Sequence, residues 1–138
     1  MTSPTAAQLK KLERLARQAA EQAYAPYSQF SVGAAVLTSS GKMFAGCNVE
    51  NASFGLCNCA ERTAIFNAIT SDKKPLRLKC VVVYTPTETT TTPCGACRQV
   101  IHEFGPDTQV ISICDSKERI TVSIDALLPG AFGPGDLR

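Results

Sequence analysis

Charge of one sign, long apolar runs and histidine are what this sequence has least of. Fourteen basic residues against twelve acidic ones leave a formal charge of +2. That is no surplus with which to grip a phosphate backbone, so no nucleic-acid partner is expected and small neutral molecules are the better candidates. The basic stretch 73–79 has no aromatic residue interleaved and reads as a solvated helix-to-strand connection. No apolar run approaches the length of a membrane span, and the N-terminus lacks a charged leader followed by an apolar core. The protein is therefore expected to be soluble, unexported and cytoplasmic, with no membrane partner. The one histidine, His102, falls five residues after Cys97. That is about one and a half helical turns, so it points away from anything Cys97 holds.

Cysteine is the exception to this scarcity. Seven are present, an odd number, and three of them have ligand spacing, which suits a reducing compartment better than a disulfide framework. Cys94 and Cys97, behind Pro93, form a Cys-x-x-Cys pair at a helix start, able to close on one tetrahedral ion, for which zinc is the usual occupant. Cys59 supplies a third sulfur. Three protein ligands leave a fourth position for water, which separates a catalytic zinc site from a closed structural one. Glu61, two residues beyond Cys59, can reach that water without ligating the metal. Cys57 lacks this offset from Glu61 and stays outside the ligand set; with Cys47, Cys80 and Cys114 it reads as a small buried hydrophobe.

The 138 residues, 44% of them hydrophobic, suffice for one core and one domain over 1–138. Thr5 to Gln8 form a capping box, and Leu9, Leu12, Leu15 or Ala16, Ala19 and Ala23 repeat at helical spacing, which predicts a helix to about Tyr24. Val32, Ala34 and Val36 alternate, the turn residues 39–41 follow, and Met43 to Asn48 continue extended, a β-hairpin. Ala60 to Ile69 is unbroken helix, and Cys80 to Tyr84 is a β-branched run of the kind buried in a sheet centre. After the threonine-rich loop 87–92, a third helix runs to Gly105; two short strands and a helical turn at 124–128 complete the order αββαβαββα. That order predicts an α/β fold, a three-layer α-β-α sandwich around a five-stranded mixed sheet.

Four segments carry a resemblance: Ala25 to Ala35, Gly46 to Ser53, Cys57 to Ala64 and Pro93 to Gln99. Together they resemble the cytidine deaminases, specifically the short-chain, three-cysteine type, and the likeness runs from about Ala25 to Phe132. The non-ligand glutamate two residues after the first ligand, with Pro-Cys-x-x-Cys downstream, is the zinc deaminase pattern. The resemblance implies the cytidine deaminase-like fold, one zinc per subunit, a nucleoside substrate and a homotetramer. It implies hydrolysis of cytidine and 2′-deoxycytidine to uridine and 2′-deoxyuridine with release of ammonia, a step of pyrimidine salvage. It further implies that Phe30 packs on the pyrimidine, that Asn48 and Glu50 read the ribose 3′-hydroxyl, and that the Ala60 backbone meets the base carbonyl. The Thr92 carbonyl would face the leaving amine. Phe132 either reaches a neighbouring subunit's site or covers its own core.

The chemistry fits these residues. Zinc lowers the pKa of its water to near 7, while Glu61 as general acid and base can move protons to ring N3 and to the departing amine. Three thiolates on Zn²⁺ leave a formal charge of −1, which two helix N-termini and hydrogen bonds from Arg62 and Arg98 to the sulfurs can draw off; Arg98 can equally be a solvent-facing helix residue. The nearest alternative is a deaminase of a modified cytosine nucleoside such as blasticidin S, and a remoter one is a structural zinc module that binds partners.

Overall fold

Thr5 and Gln8 close the N-terminus of α1 (Ala6–Ala20) in both directions. The Thr5 hydroxyl accepts from the Gln8 N–H at 3.1 Å and the Gln8 side chain accepts from the Thr5 N–H at 2.9 Å, so two otherwise orphan donors are satisfied. The computed structural model describes residues 3–138; residues 1 and 2 of the expected domain lie outside them. Helix α1 stops at Ala20, short of the expected Tyr24. The reason is tertiary: Tyr24 leaves the helix to trade backbone bonds with a distant segment, donating to the Asn48 carbonyl at 3.1 Å and accepting from Glu50 at 2.8 Å.

The remaining elements are β1 (Gly33–Thr38), β2 (Met43–Cys47), α2 (Ala60–Ser71), β3 (Leu78–Tyr84), α3 (Gly95–Phe104), β4 (Gln109–Ile113), β5 (Arg119–Ser123) and α4 (Ile124–Leu127). Their order is the one the sequence pattern predicts. Two short 3₁₀ turns, Phe54–Leu56 and Pro134–Leu137, have no periodicity long enough to announce them. The strands lie side by side as β2-β1-β3-β4-β5. Only β3 and β4 run parallel, which makes the sheet mixed, and the crossover between them is α3.

Alternation along β3 divides the core into two halves. Cys80 and Val82 pack with Leu12 and Ala16 of α1 on one face, whereas Val81 and Val83 pack with Ala64, Ile65 and Ala68 of α2, Ile101 of α3 and Ile124 of α4 on the other. These are the three layers expected. A strand covered on both faces has no solvated side, which is why β3 reads as an uninterrupted apolar run. The basic stretch spans the turn between α2 and β3, held by Leu76, which is buried in the core.

Two glycines set how closely helix and sheet approach. A Cβ on Gly46 of β2 would come within 2.4 Å of the Ala64 backbone nitrogen, and one on Gly33 of β1 within 1.9 Å of the Ala16 carbonyl. Only a residue without a side chain lets α2 lie this near the sheet. The consequence is positional: the N-terminus of α2, with Cys59 and Glu61, is set against the end of β3 and the start of α3.

Candidate active site

Both ligand-bearing segments are helix starts. Cys59 is the N-cap of α2 and Cys94 the N-cap of α3, each in extended conformation and neither using its side chain to cap its helix; Cys97 lies in the first turn of α3. The three sulfurs are thus free to converge, and all lie within 4.8 Å of one another, with Cys59 and Cys94 at 3.7 Å. Sulfurs about 2.3 Å from a tetrahedral zinc are separated by about 3.8 Å, so the cluster has the dimensions of one zinc site. None of the three cysteines is in a disulfide. Cys57 is not in the cluster: its sulfur accepts from the Asn51 N–H at 3.4 Å, as expected for a cysteine outside the ligand set.

Helix N-termini and one guanidinium concentrate positive potential here. Arg62 Nη2 donates to the Cys59 sulfur at 3.3 Å, and its Nε is buried without a partner. Hydrogen bonding from Cys97, Arg62 and Cys94 pushes the Cys59 thiol down to about 5. Cys97, which donates to that sulfur and is buried, is pushed up. Glu61 is 4% exposed; desolvation, with the Cys59 charge adding, raises its carboxyl from 4.5 to about 7. A carboxyl with comparable protonated and ionised populations near neutrality suits repeated proton transfer.

Cys59 and Cys94 open onto a cavity of about 330 Å³ whose walls also include Phe30, Asn48, Glu50, Ala60, Glu61 and Thr92. These residues come from four separate stretches of chain. Asn48 and Glu50 share one side, and both hold the loop before β1. The Asn48 side chain donates to the Phe30 carbonyl at 2.7 Å and accepts from the Val32 N–H at 2.8 Å. Glu50 accepts from the N–H groups of Tyr27 and Ser28 at 2.9 and 3.2 Å. Ser28, Asn58, Val83, Thr85 and Thr91 also line the cavity; none has a side-chain pattern that singles it out in sequence.

Two expectations, for Arg98 and for the cysteines outside the ligand set, need correction, and that for Phe132 narrows. Arg98 does not reach the sulfurs: it donates to the Pro93 carbonyl (2.7 Å), the Leu127 carbonyl (2.9 Å) and the Thr92 hydroxyl (3.0 Å). It clamps the segment before Cys94 to the end of α4, because its place in the first turn of α3 faces that segment. Phe132 is absent from the walls of its own chain's cavity and is 58% exposed, with Gln99 donating to its carbonyl at 2.8 Å on the flank of α3; of its two expected placements, the cover over its own core is the one that fails. Cys57 lines the cavity and, like Cys47, is only partly buried, whereas Cys80 and Cys114 are buried as expected.

Three converging thiols with a buried, non-ligating carboxylate beside them, on an α-β-α sandwich, define a zinc hydrolase centre. The family model described as the cytidine and deoxycytidylate deaminase zinc-binding region matches residues 6–113, and the chain belongs to that family. It is 43% identical over 130 residues to a cytidine deaminase of Sporosarcina psychrophila, covering 94% of each chain. It is 47% identical over 123 residues to that of Halalkalibacterium halodurans, covering 87% of this chain and 90% of the relative. The crystal structure of the cytidine deaminase from Burkholderia pseudomallei superposes with a TM-score of 0.84 at 48% identity, covering 89% of this chain and 98% of that one. Zinc is accordingly the metal that Cys59, Cys94 and Cys97 suit.

Arg62→Gln is expected to retain zinc while kcat falls by about tenfold or more, since one charge-assisted hydrogen bond to a thiolate contributes about 1.5–3 kcal/mol. Metal analysis beside steady-state rates checks this; unchanged rates at full zinc content would show that Arg62 does not tune the sulfurs.

Proposed function

We propose that the chain hydrolyses cytidine and 2′-deoxycytidine to uridine and 2′-deoxyuridine, releasing ammonia, as a cytoplasmic enzyme of pyrimidine salvage with residues 1–138 as one domain. The observation that carries this reading is Glu61: a carboxyl 4% exposed, beside three ligand sulfurs and in the wall of a nucleoside-sized cavity. It lies outside the group of three sulfurs that could hold a metal, and burial raises its carboxyl to about 7, which suits it to proton transfer.

Zinc held by Cys59, Cys94 and Cys97 would supply the Lewis acidity that makes water ionise near neutrality. The Glu61 carboxylate takes a proton from the attacking water and passes it to ring N3 as the C4–O bond forms. It then carries the second water-derived proton to the amino group, so that ammonia leaves as the C4–N bond breaks. Arg62 draws charge from the Cys59 sulfur. Phe30 packs on the pyrimidine ring, the Ala60 backbone N–H donates to the base carbonyl, and the Thr92 carbonyl accepts from the departing amine. Arg98, by fixing Thr92 and Pro93, keeps that carbonyl in place. Asn48 retains one amide hydrogen and one acceptor site beyond its loop contacts, and with Glu50 it reads the ribose 3′-hydroxyl.

A homotetramer accords with exposed apolar side chains on segments 24–27 and 49–56, where Tyr27 and Phe54 share a depression with Ser28, Glu50 and Cys57 of the cavity wall. Tyr24, Tyr27, Val49, Phe54 and Leu56 are all exposed, Phe54 and Leu56 by 73% and 69%, and apolar side chains clustered on so few residues of chain mark a contact surface. In this reading Phe132 enters the site of a neighbouring copy. The substrate test is a panel of cytidine, 2′-deoxycytidine and blasticidin S at equal concentration. Efficient turnover of the first two is expected; preference for blasticidin S with weak activity on cytidine would reverse the assignment.

A further inference from the structure

Glu50 is held more tightly than a surface carboxylate needs to be. Its Oε1 accepts from the backbone N–H groups of Tyr27 and Ser28, and its Oε2 accepts from the Ser28 hydroxyl. The same hydroxyl accepts from the Phe30 N–H at 3.0 Å. One serine oxygen therefore joins the carboxylate to the backbone that carries Phe30. Between them Gln29 sits at a φ of 58°, the left-handed region that a residue with a Cβ adopts only when its surroundings enforce it.

An ionised carboxylate offers about four acceptor sites. Three are taken, which leaves one, on Oε2, in the wall of the cavity that Ser28 also lines. The Ser28 hydroxyl, foremost among these bonds, holds Glu50 below the usual carboxylate range, so the residue stays acceptor-only at neutral pH. Glu50 is only part-buried, so water takes the open site when a sugar brings no donor; what the fixed carboxylate supplies is orientation, one hydroxyl met in a single geometry.

Resting on the reading that Glu50 accepts the sugar hydroxyl, we propose that Ser28 is a positioning residue for sugar specificity: its hydroxyl fixes the Glu50 carboxylate with a single open acceptor site and so makes the enzyme demand the 3′-hydroxyl. Without it Oε2 gains a second open site, the carboxylate turns, and water satisfies it as well as substrate does.

The test measures kcat and KM for cytidine and 3′-deoxycytidine with the zinc-loaded parent, Ser28→Ala, Ser28→Thr and Glu50→Ala, alongside thermal melting. Ser28→Ala is expected to lower kcat/KM for cytidine by about tenfold, mainly through KM, and for 3′-deoxycytidine by less than about twofold. Ser28→Thr, which keeps a hydroxyl, restores most of the discrimination. Equal losses on both substrates would reduce Ser28 to a loop scaffold and overturn the proposal while leaving Glu50's role intact. If Glu50→Ala itself leaves the ratio between the two substrates unchanged, the sugar reading fails and the proposal with it. Should Ser28→Ala not accumulate in folded form, Ser28→Cys, a weak donor at the same place, is judged by the same ratio.

Discussion

Replacing Glu61 by glutamine is expected to leave zinc bound and to lower kcat for cytidine by about 10³-fold or more, within or beyond the range that general acid–base groups supply. The substitution keeps the shape of a side chain that is 4% exposed and changes none of the three sulfurs. It removes only the ability to carry a proton, and the reaction needs two transfers by the same group. Stability gives an independent check. Burial raises the Glu61 carboxyl from 4.5 to about 7, so folding favours its protonated form. That contribution is full below pH 4.5 and lost as pH rises through 7. At pH 8 the glutamine variant should therefore melt no lower than the parent, and a large loss of stability there would mean that Glu61 holds the structure together. Activity close to the parent's would remove the proton shuttle altogether.

The second large effect is on folding. Cys97→Ala should take zinc from about one per chain to near none, abolish turnover and lower the melting temperature by about 10 °C or more. Cys97 is fully buried at the start of α3 and its sulfur lies within 4.8 Å of the other two. Ligand loss there removes a cross-link between two helices that otherwise meet through few side chains, and structural metal binding is folding free energy. A chelator added to the parent should reproduce most of the shift. Cys57→Ala is the control, expected to keep its zinc because its sulfur bonds to Asn51. Zinc retained by the Cys97 variant and lost by the Cys57 variant would redraw the ligand set.

What the sequence discloses and what it withholds follow one physical division. Element order and the ligand triad rest on local spacing: Thr5 and Gln8 cap their own helix, and Cys94 and Cys97 are one turn apart. Cys59 and Glu61 are legible for the same reason, since a helix start places them together. Contacts between distant segments are not legible in this way. Nothing near Tyr24 announces that it will pair with Asn48 and Glu50 and end α1 early. Arg98 stands next to Cys97, yet the end of α4 and the Pro93 carbonyl take its donors. Ser28 has no signature of its own, because its importance lies in a carboxylate twenty-two residues on. Resemblance to a family supplies Phe30 for the base and Asn48 with Glu50 for the sugar, while the structure adds that Asn48 carries the backbone on both sides of Ser31 and so places Phe30.

The most direct test measures zinc per chain and, on the same preparation, the ultraviolet change as cytidine becomes uridine, for the parent and for Glu61→Gln. One zinc in each, with turnover in the parent alone, is the predicted result. Zinc without turnover in the parent, or turnover that survives in the Glu61 variant, would contradict it.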